Sequence, residues 1–232
     1  YAVVDDAEVA AKDARCLFVD DVLSILQELA AHHRRVLDTP VLQITGTNGK
    51  STTTRMLAAA LRTQYAVATN EGGDNMDAGI ITALMAGQEA SHVVLECDEL
   101  HVPSVADRLQ PSCLVLLNLS RDQLDRVGEI NKIERALRQC VLNHPTMTVI
   151  ANCDDVLVTS VAWEAKNVVW VSAGAGWKGD SVSCPRTGGR IIHHPDGTCG
   201  KPSNHWPTAQ YSADRNPPGP SPQKASTPPP TI

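Results

Sequence analysis

Gly46-Thr47-Asn48-Gly49-Lys50-Ser51-Thr52 holds the densest chemistry of the 232-residue chain. The segment follows an apolar run at 41–45 and opens a stretch of helical spacing at 50–62. Glycines let backbone N–H groups approach a phosphate closely, and a helix N-terminus and a lysine both favour its negative charge. Ser51 adds a hydroxyl suited to Mg²⁺. A Walker loop would place glycine at position 44, where this chain has Ile44, so the loop is a shorter variant. The plain alternative is a Gly-rich turn with a surface lysine, and the strand–loop–helix setting weighs against it.

Three further polar strings each follow an apolar run. Leu95-Glu96-Cys97-Asp98-Glu99 sets three acids at a strand end, where burial without a cation would be costly; Glu96 is the candidate oxygen ligand for Mg²⁺. Asn118-Leu119-Ser120-Arg121-Asp122-Gln123-Leu124-Asp125-Arg126 would face the same cleft. Ala151-Asn152-Cys153-Asp154-Asp155 would do so too, although Asn152 or Asp154 could instead cap the next helix. Each string alone is compatible with a solvated turn. Four of them at successive strand ends outline one nucleotide–metal cleft.

The elements that must position them are strands at 41–45, 66–69, 92–97, 113–118, 146–151 and 167–172. Helices fit between, at 50–62, 77–86, 102–109, 130–142 and 155–165. This alternation predicts an α/β domain with a parallel sheet, right-handed crossovers and a ligand site at the C-terminal strand ends. Ahead of it lie short strands at 2–5 and 16–19 that lack partners. A helix capped by Asp20 or Asp21 follows, with Val22, Leu26, Leu29 and Val36 at helical spacing. His32 and His33 beside Arg34 and Arg35 read as a solvated helix end rather than a metal site. The piece at 1–40 looks cut from a larger domain.

Composition narrows the function classes. Hydrophobic residues make up 42%, enough for a core, but aromatics only 3%, which argues against base-stacking nucleic-acid modules. A net charge of −6 gives no general attraction to nucleic acid or anionic membrane. No apolar run reaches membrane-spanning length, and no signal peptide is expected. The seven cysteines, scattered and partly within apolar runs, read as reduced thiols of a cytoplasmic protein. Residues 199–232 hold nine of the fifteen prolines, and their only Val, Ile, Leu, Met or Phe is Ile232. Such a segment cannot offset its ordering entropy by burial and is predicted to be a disordered tail.

The glycine loop, the Glu96 string, the 118–126 string and the 152–155 string resemble, in order and spacing, the central ATPase domain of the Mur ligases. Within that superfamily the likeness is closest to MurT-type sequences, carried by Thr69-Asn70, Asn75-Met76, Ala78-Gly79, Glu96-Cys97-Asp98-Glu99-Leu100-His101-Val102-Pro103 and Asn118–Arg126. It covers 41–198, whereas 1–40 resembles the end of a MurF-type N-terminal domain.

The resemblance implies a P-loop-type three-layer α/β/α parallel sheet. It also implies ATP-dependent ligation, with Mg²⁺, of a carboxylate to an amine or ammonia through an acyl phosphate, in peptidoglycan synthesis. For the MurT type the carboxylate belongs to D-Glu of the lipid II stem peptide, and ammonia comes from a GatD-type glutamine amidotransferase. Placement is then cytoplasmic, at the inner face of the membrane through the substrate. Lys50, Glu96 and Asp122 take the catalytic roles. Gly46, Thr47, Asn48, Gly49, Lys50, Ser51, Thr52, Asn152 and Asp155 bind nucleotide, and Ser51, Glu96 and Gln123 face Mg²⁺. Other Mur ligases usually place His at position 123.

A degenerate zinc-ribbon-like insertion from about 180 retains Cys184 and Cys199, too few for the four ligands that zinc wants, so no zinc is expected. A C-terminal ligase domain would supply the second wall of the site, and the chain as it stands is expected to be an incomplete, inactive fragment. Three alternatives remain open: a MurF-type D-Ala-D-Ala ligase fragment, a folylpolyglutamate-synthase-like enzyme, and a nucleotide-binding remnant without catalysis.

Overall fold

The computed structural model describes residues 2–37, 39–70, 72, 75–87, 89–119, 127–172, 174, 184–186, 188, 192–193, 199–201, 204–205 and 211–212. Strands β1 (Ala2–Val4) and β2 (Cys16–Phe18) flank the one-turn helix α1 (Ala7–Ala10), whose first N–H groups are capped by Asp6. The reading that these strands lack partners is corrected: β1 and β2 pair with each other in parallel, Ala2 opposite Cys16. Asp21 then caps α2 (Val22–Leu37), accepting from the N–H groups of Leu23 and Ser24.

The main body alternates strand and helix: β3 (Val41–Thr45), α3 (Lys50–Leu61), β4 (Val67–Thr69), α4 (Asp77–Ala86), β5 (His92–Glu96), α5 (Val102–Leu109), β6 (Cys113–Leu116), α6 (Val127–Asn143), β7 (Thr148–Asn152), α7 (Val156–Ala162) and β8 (Asn167–Ser172). All six strands run parallel, in the order β8-β7-β6-β3-β5-β4. Their sequences read as near-continuous apolar runs because both faces are covered. Val41, Ile44, Val94, Leu95, Leu114 and Leu116 are buried at the centre. Helix α2 packs on α4 and α5, and Arg108 of α5 and Asp77 of α4 both hydrogen-bond the Gln27 amide.

Strand order fixes where a ligand can sit. The step from β3 to β4 runs one way along the sheet, and every later step among β4 to β8 runs the other. Right-handed crossovers therefore set α3 on one face and α4 to α7 on the opposite face. Around β3 the chain leaves adjacent strands toward opposite faces, which opens a crevice at their C-terminal ends. The loops after β3, β5 and β6 meet there.

Residues beyond β8 bear on one expectation. Strands β9 (Ile192–His193), β10 (Cys199–Lys201) and β11 (Asn204–His205) form a small antiparallel sheet. Strand β12 (Tyr211–Ser212) adds to the main sheet alongside β8. Within the segment expected to be a disordered tail, 199–201, 204–205 and 211–212 thus take part in short backbone pairings, which a composition argument built on side-chain burial does not anticipate. Residues 213–232 lie outside the described residues. Arg186 ties the turn at 184–186 to α7, donating to the Ser160 carbonyl at 2.6 Å and to Glu164 at 2.8 Å. No helix among the described residues is long and apolar enough to cross a membrane.

Burial also sets the state of the thiols. It pushes Cys97 up to about 12, aided by the Asp98 and Asp77 carboxylates and opposed by a hydrogen bond from Gln43. Cys140 is likewise raised to about 12 by burial and Asp107. A thiol whose folded pKa is raised stays protonated in the fold after the unfolded chain has released its proton. Its stabilisation is whole below about 8.5 and is lost as pH climbs toward 12. Urea unfolding between pH 8 and pH 11 is expected to show stability falling by up to about 1.4 kcal/mol per pH unit for each thiol. The Cys97→Ala/Cys140→Ala double variant should flatten that slope, and an unchanged slope would contradict the assignment.

Candidate functional site

The loop between β3 and α3 is shaped by two glycines. Gly46 has φ +146°, and a Cβ there would lie 2.9 Å from the Leu117 Cβ and 3.0 Å from the Asn118 backbone N and O. Gly49, at φ +87°, turns the chain into α3 and leaves the helix N-terminus without a side-chain cap. The loop is latched to the end of β6. Thr47 N–H donates to the Asn118 carbonyl at 2.9 Å, Asn48 N–H to Asn118 Oδ1 at 2.8 Å, and Asn118 Nδ2 back to the Asn48 carbonyl at 2.9 Å. Asn118 thus holds the phosphate-type loop from the neighbouring strand.

Glu96 ends β5 directly beside this loop and is buried. Its backbone N–H and C=O are both bonded, at 2.8 Å, to the side-chain amide of buried Asn70 at the end of β4. One carboxylate oxygen, Oε1, accepts from the Ser51 hydroxyl at 3.0 Å. The other, Oε2, is buried with no hydrogen-bond partner among the described residues. Lys50 Nζ donates to the Gly46 carbonyl at 2.7 Å and lies 3.8 Å from Glu99 Oε2. Together Thr47, Asn48, Gly49, Lys50, Ser51, Thr52, Asn75 and Glu96 line an open cleft of ≈ 360 Å³.

This donor set suits a magnesium polyphosphate. The bare buried oxygen of Glu96 and the hydroxyl of Ser51 are hard oxygen ligands at one point. Lys50 and the exposed N–H groups of the α3 N-terminus supply the anion side.

The four sequence strings separate here. The glycine loop and Glu96 come together in the cleft, and Asn118 braces it. Asn152 and Asp155 bond the backbone of the neighbouring strand end: Asn152 Nδ2 donates to the Leu117 carbonyl at 2.9 Å, and Asp155 Oδ2 accepts from Leu119 N–H at 2.8 Å. Asp155 Oδ1 also caps α7 through the N–H groups of Leu157 and Val158. The cap is therefore Asp155, not Asn152 or Asp154. Asp122 and Gln123 lie outside the described residues. Cys184 sits in the turn before Gly188, whose N–H bonds its carbonyl, and Cys199 opens β10 opposite His193. Among the described residues no three metal-ligating side chains converge. Sequence reading did not assign roles to Asn70, Asn75 or the Lys50–Glu99 pair. Asn70 and Asn75 stood within strings that carried the resemblance, but their partners are distant in sequence.

Comparison with known proteins agrees with this geometry. The family model of the Mur ligase middle domain matches residues 44–200. The chain belongs to the Mur ligase middle domain family. A lipid II isoglutaminyl synthase (glutamine-hydrolyzing) subunit MurT from Streptococcus pneumoniae is 37% identical over 138 residues, covering 57% of this chain and 30% of that protein. A UDP-N-acetylmuramoylalanine--D-glutamate ligase from Rhizobium etli is 38% identical over 125 residues, covering 54% of this chain and 24% of that one. Among solved structures, MurF from Acinetobacter baumannii superposes with TM-score 0.61 at 24% identity, over 69% of this chain and 37% of its own. This Mur ligase domain spans about a third or less of the length of these curated relatives. The family match bears out the expected fold class and the superfamily resemblance.

The loop geometry makes Gly46 a sharp test. Gly46→Ala would press a Cβ onto the β6–loop latch at a φ that L-residues rarely adopt, costing on the order of 1–3 kcal/mol. A fall in the urea midpoint of that size is expected, and unchanged stability would contradict the described contact.

Proposed function

We propose that this Mur ligase middle domain binds Mg·ATP and is the nucleotide-handling part of a carboxylate–amine ligase of the MurT type. The observation that carries the reading is the Ser51–Glu96 pair, with one carboxylate oxygen bare, beside Lys50 on a glycine-shaped loop. Ser51 and Glu96 would hold Mg²⁺, and Gln123, by the resemblance, would stand near it. When bound, the cation neutralises charge on the phosphoryl oxygens, the main catalytic gain available in phosphoryl transfer. Lys50 would exchange the Gly46 carbonyl for phosphate oxygens. Asn118 would keep the loop N–H groups aimed at the same point. Asn152 and Asp155, which brace the β6 end, would border the nucleoside, and Asp122 would face the acyl side.

The resemblance to the MurT type supplies the rest of the proposal. In the MurT type the activated group is the D-Glu α-carboxylate of the lipid II stem peptide. An acyl phosphate forms, and ammonia from a GatD-type glutaminase displaces phosphate to leave isoglutamine. This chain would then act in the cytoplasm, on a membrane-held substrate and with a glutaminase partner.

Calorimetric titration with Mg·ATP tests the nucleotide half. Wild type is expected to bind at a single site, and Lys50→Ala to bind at least about tenfold more weakly, as loss of one close charge contact requires. Equal affinities would overturn the reading.

A further inference from the structure

Glu99 is not among the described residues that line the cleft, yet its carboxylate faces Lys50, the one cationic side chain among them. The side chains of Lys50 and Glu99 are 13% and 12% exposed, and their charged atoms lie 3.8 Å apart. Lys50 therefore faces the Glu99 carboxylate, while the buried Glu96, at the end of β5, lines the same cleft. Before any ligand enters, the two carboxylates outnumber the lysine charge. Asp98, in the same turn, adds to the negative field and holds the turn through Leu100 N–H at 3.1 Å. The turn is also pinned from α4, where Asp77 faces His101 at 3.2 Å, and from Asn75, whose carbonyl accepts from Asp98 N–H at 3.1 Å.

We infer, on the basis of the nucleotide reading above, that Glu99 is a specificity-determining positioning residue: by holding Lys50 it makes the cleft admit a magnesium polyphosphate and reject the metal-free one. A metal-free triphosphate must compete with Glu99 for the ammonium while being repelled by Glu99 and Glu96. A bound cation offsets the Glu96 charge and lowers the charge of the polyphosphate, so that its oxygens win Lys50 from Glu99. Glu99 itself acts through Lys50 and needs no contact with the nucleotide.

The test measures ATP affinity by calorimetry, with excess Mg²⁺ and with EDTA, for wild type, Glu99→Gln and Glu99→Asp. Thermal unfolding of each variant checks that it is folded. Wild type is expected to bind far more tightly with Mg²⁺. Glu99→Gln is expected to tighten metal-free binding by about tenfold, the effect of removing one close charge, and to change Mg·ATP binding much less. The ratio of the two affinities therefore shrinks. Glu99→Asp keeps the charge and should keep a ratio near that of wild type. A Glu99→Gln ratio equal to wild type, or weaker metal-free binding, overturns the role of Glu99 while leaving the nucleotide reading intact. Failure of wild type to bind ATP under either condition overturns both.

Discussion

A buried carboxylate with one bare oxygen is the constraint around which the rest of this domain is arranged. Taking an anion out of water costs several kcal/mol, and attraction or hydrogen bonds must offset most of it. Glu96 receives one hydroxyl, from Ser51, and its backbone is clamped on both sides by Asn70. Those bonds fix the side chain in place without satisfying its second oxygen. A site held rigid and left short of one positive partner is what binding a hard cation requires.

The parallel sheet makes the arrangement possible. Strand β3 lies between β5 and β6, so the glycine loop, Glu96 and Asn118 emerge from three adjacent strand ends. Because the chain leaves β3 toward the opposite face from its neighbours, no crossover helix covers that end of the sheet. Asn118 then does for the loop what Asn70 does for Glu96: a side-chain amide from the next strand binds backbone donors and acceptors and suppresses local motion. Preorganisation of this kind lets dipoles and charges act on a phosphoryl group without having to be reoriented.

The legible part of this structure was the local part. The apolar runs at 41–45 and 92–97 match β3 and, to within one residue, β5 because buried parallel strands must be apolar on both faces, and the run at 167–172 matches the half-buried β8. The loop at 46–52 announced itself because glycine, lysine and a hydroxyl fall within seven residues. Pairings between distant residues did not. Asp155 was not among the two candidate caps, Asn152 and Asp154, and its second bond, to Leu119 N–H, depends on β6 and β7 being neighbours. The Lys50–Glu99 pair depends on β3 and β5 being neighbours, although β4 lies between them in sequence. Short strands such as β10 and β12 escaped because backbone pairing leaves little trace in proline-rich text.

Thermal unfolding of wild type and Glu96→Gln, each with and without Mg·ATP, tests the central claim most directly. An amide in place of the carboxylate removes the buried, half-satisfied charge but not its shape. Without ligand, Glu96→Gln should therefore melt higher than wild type. With Mg·ATP at about a hundred times its dissociation constant, wild type should gain stability equivalent to roughly 2.7 kcal/mol, and Glu96→Gln should gain little. Equal gains in the two proteins, with no advantage for Glu96→Gln in the absence of ligand, would show that Glu96 is not held bare for a cation.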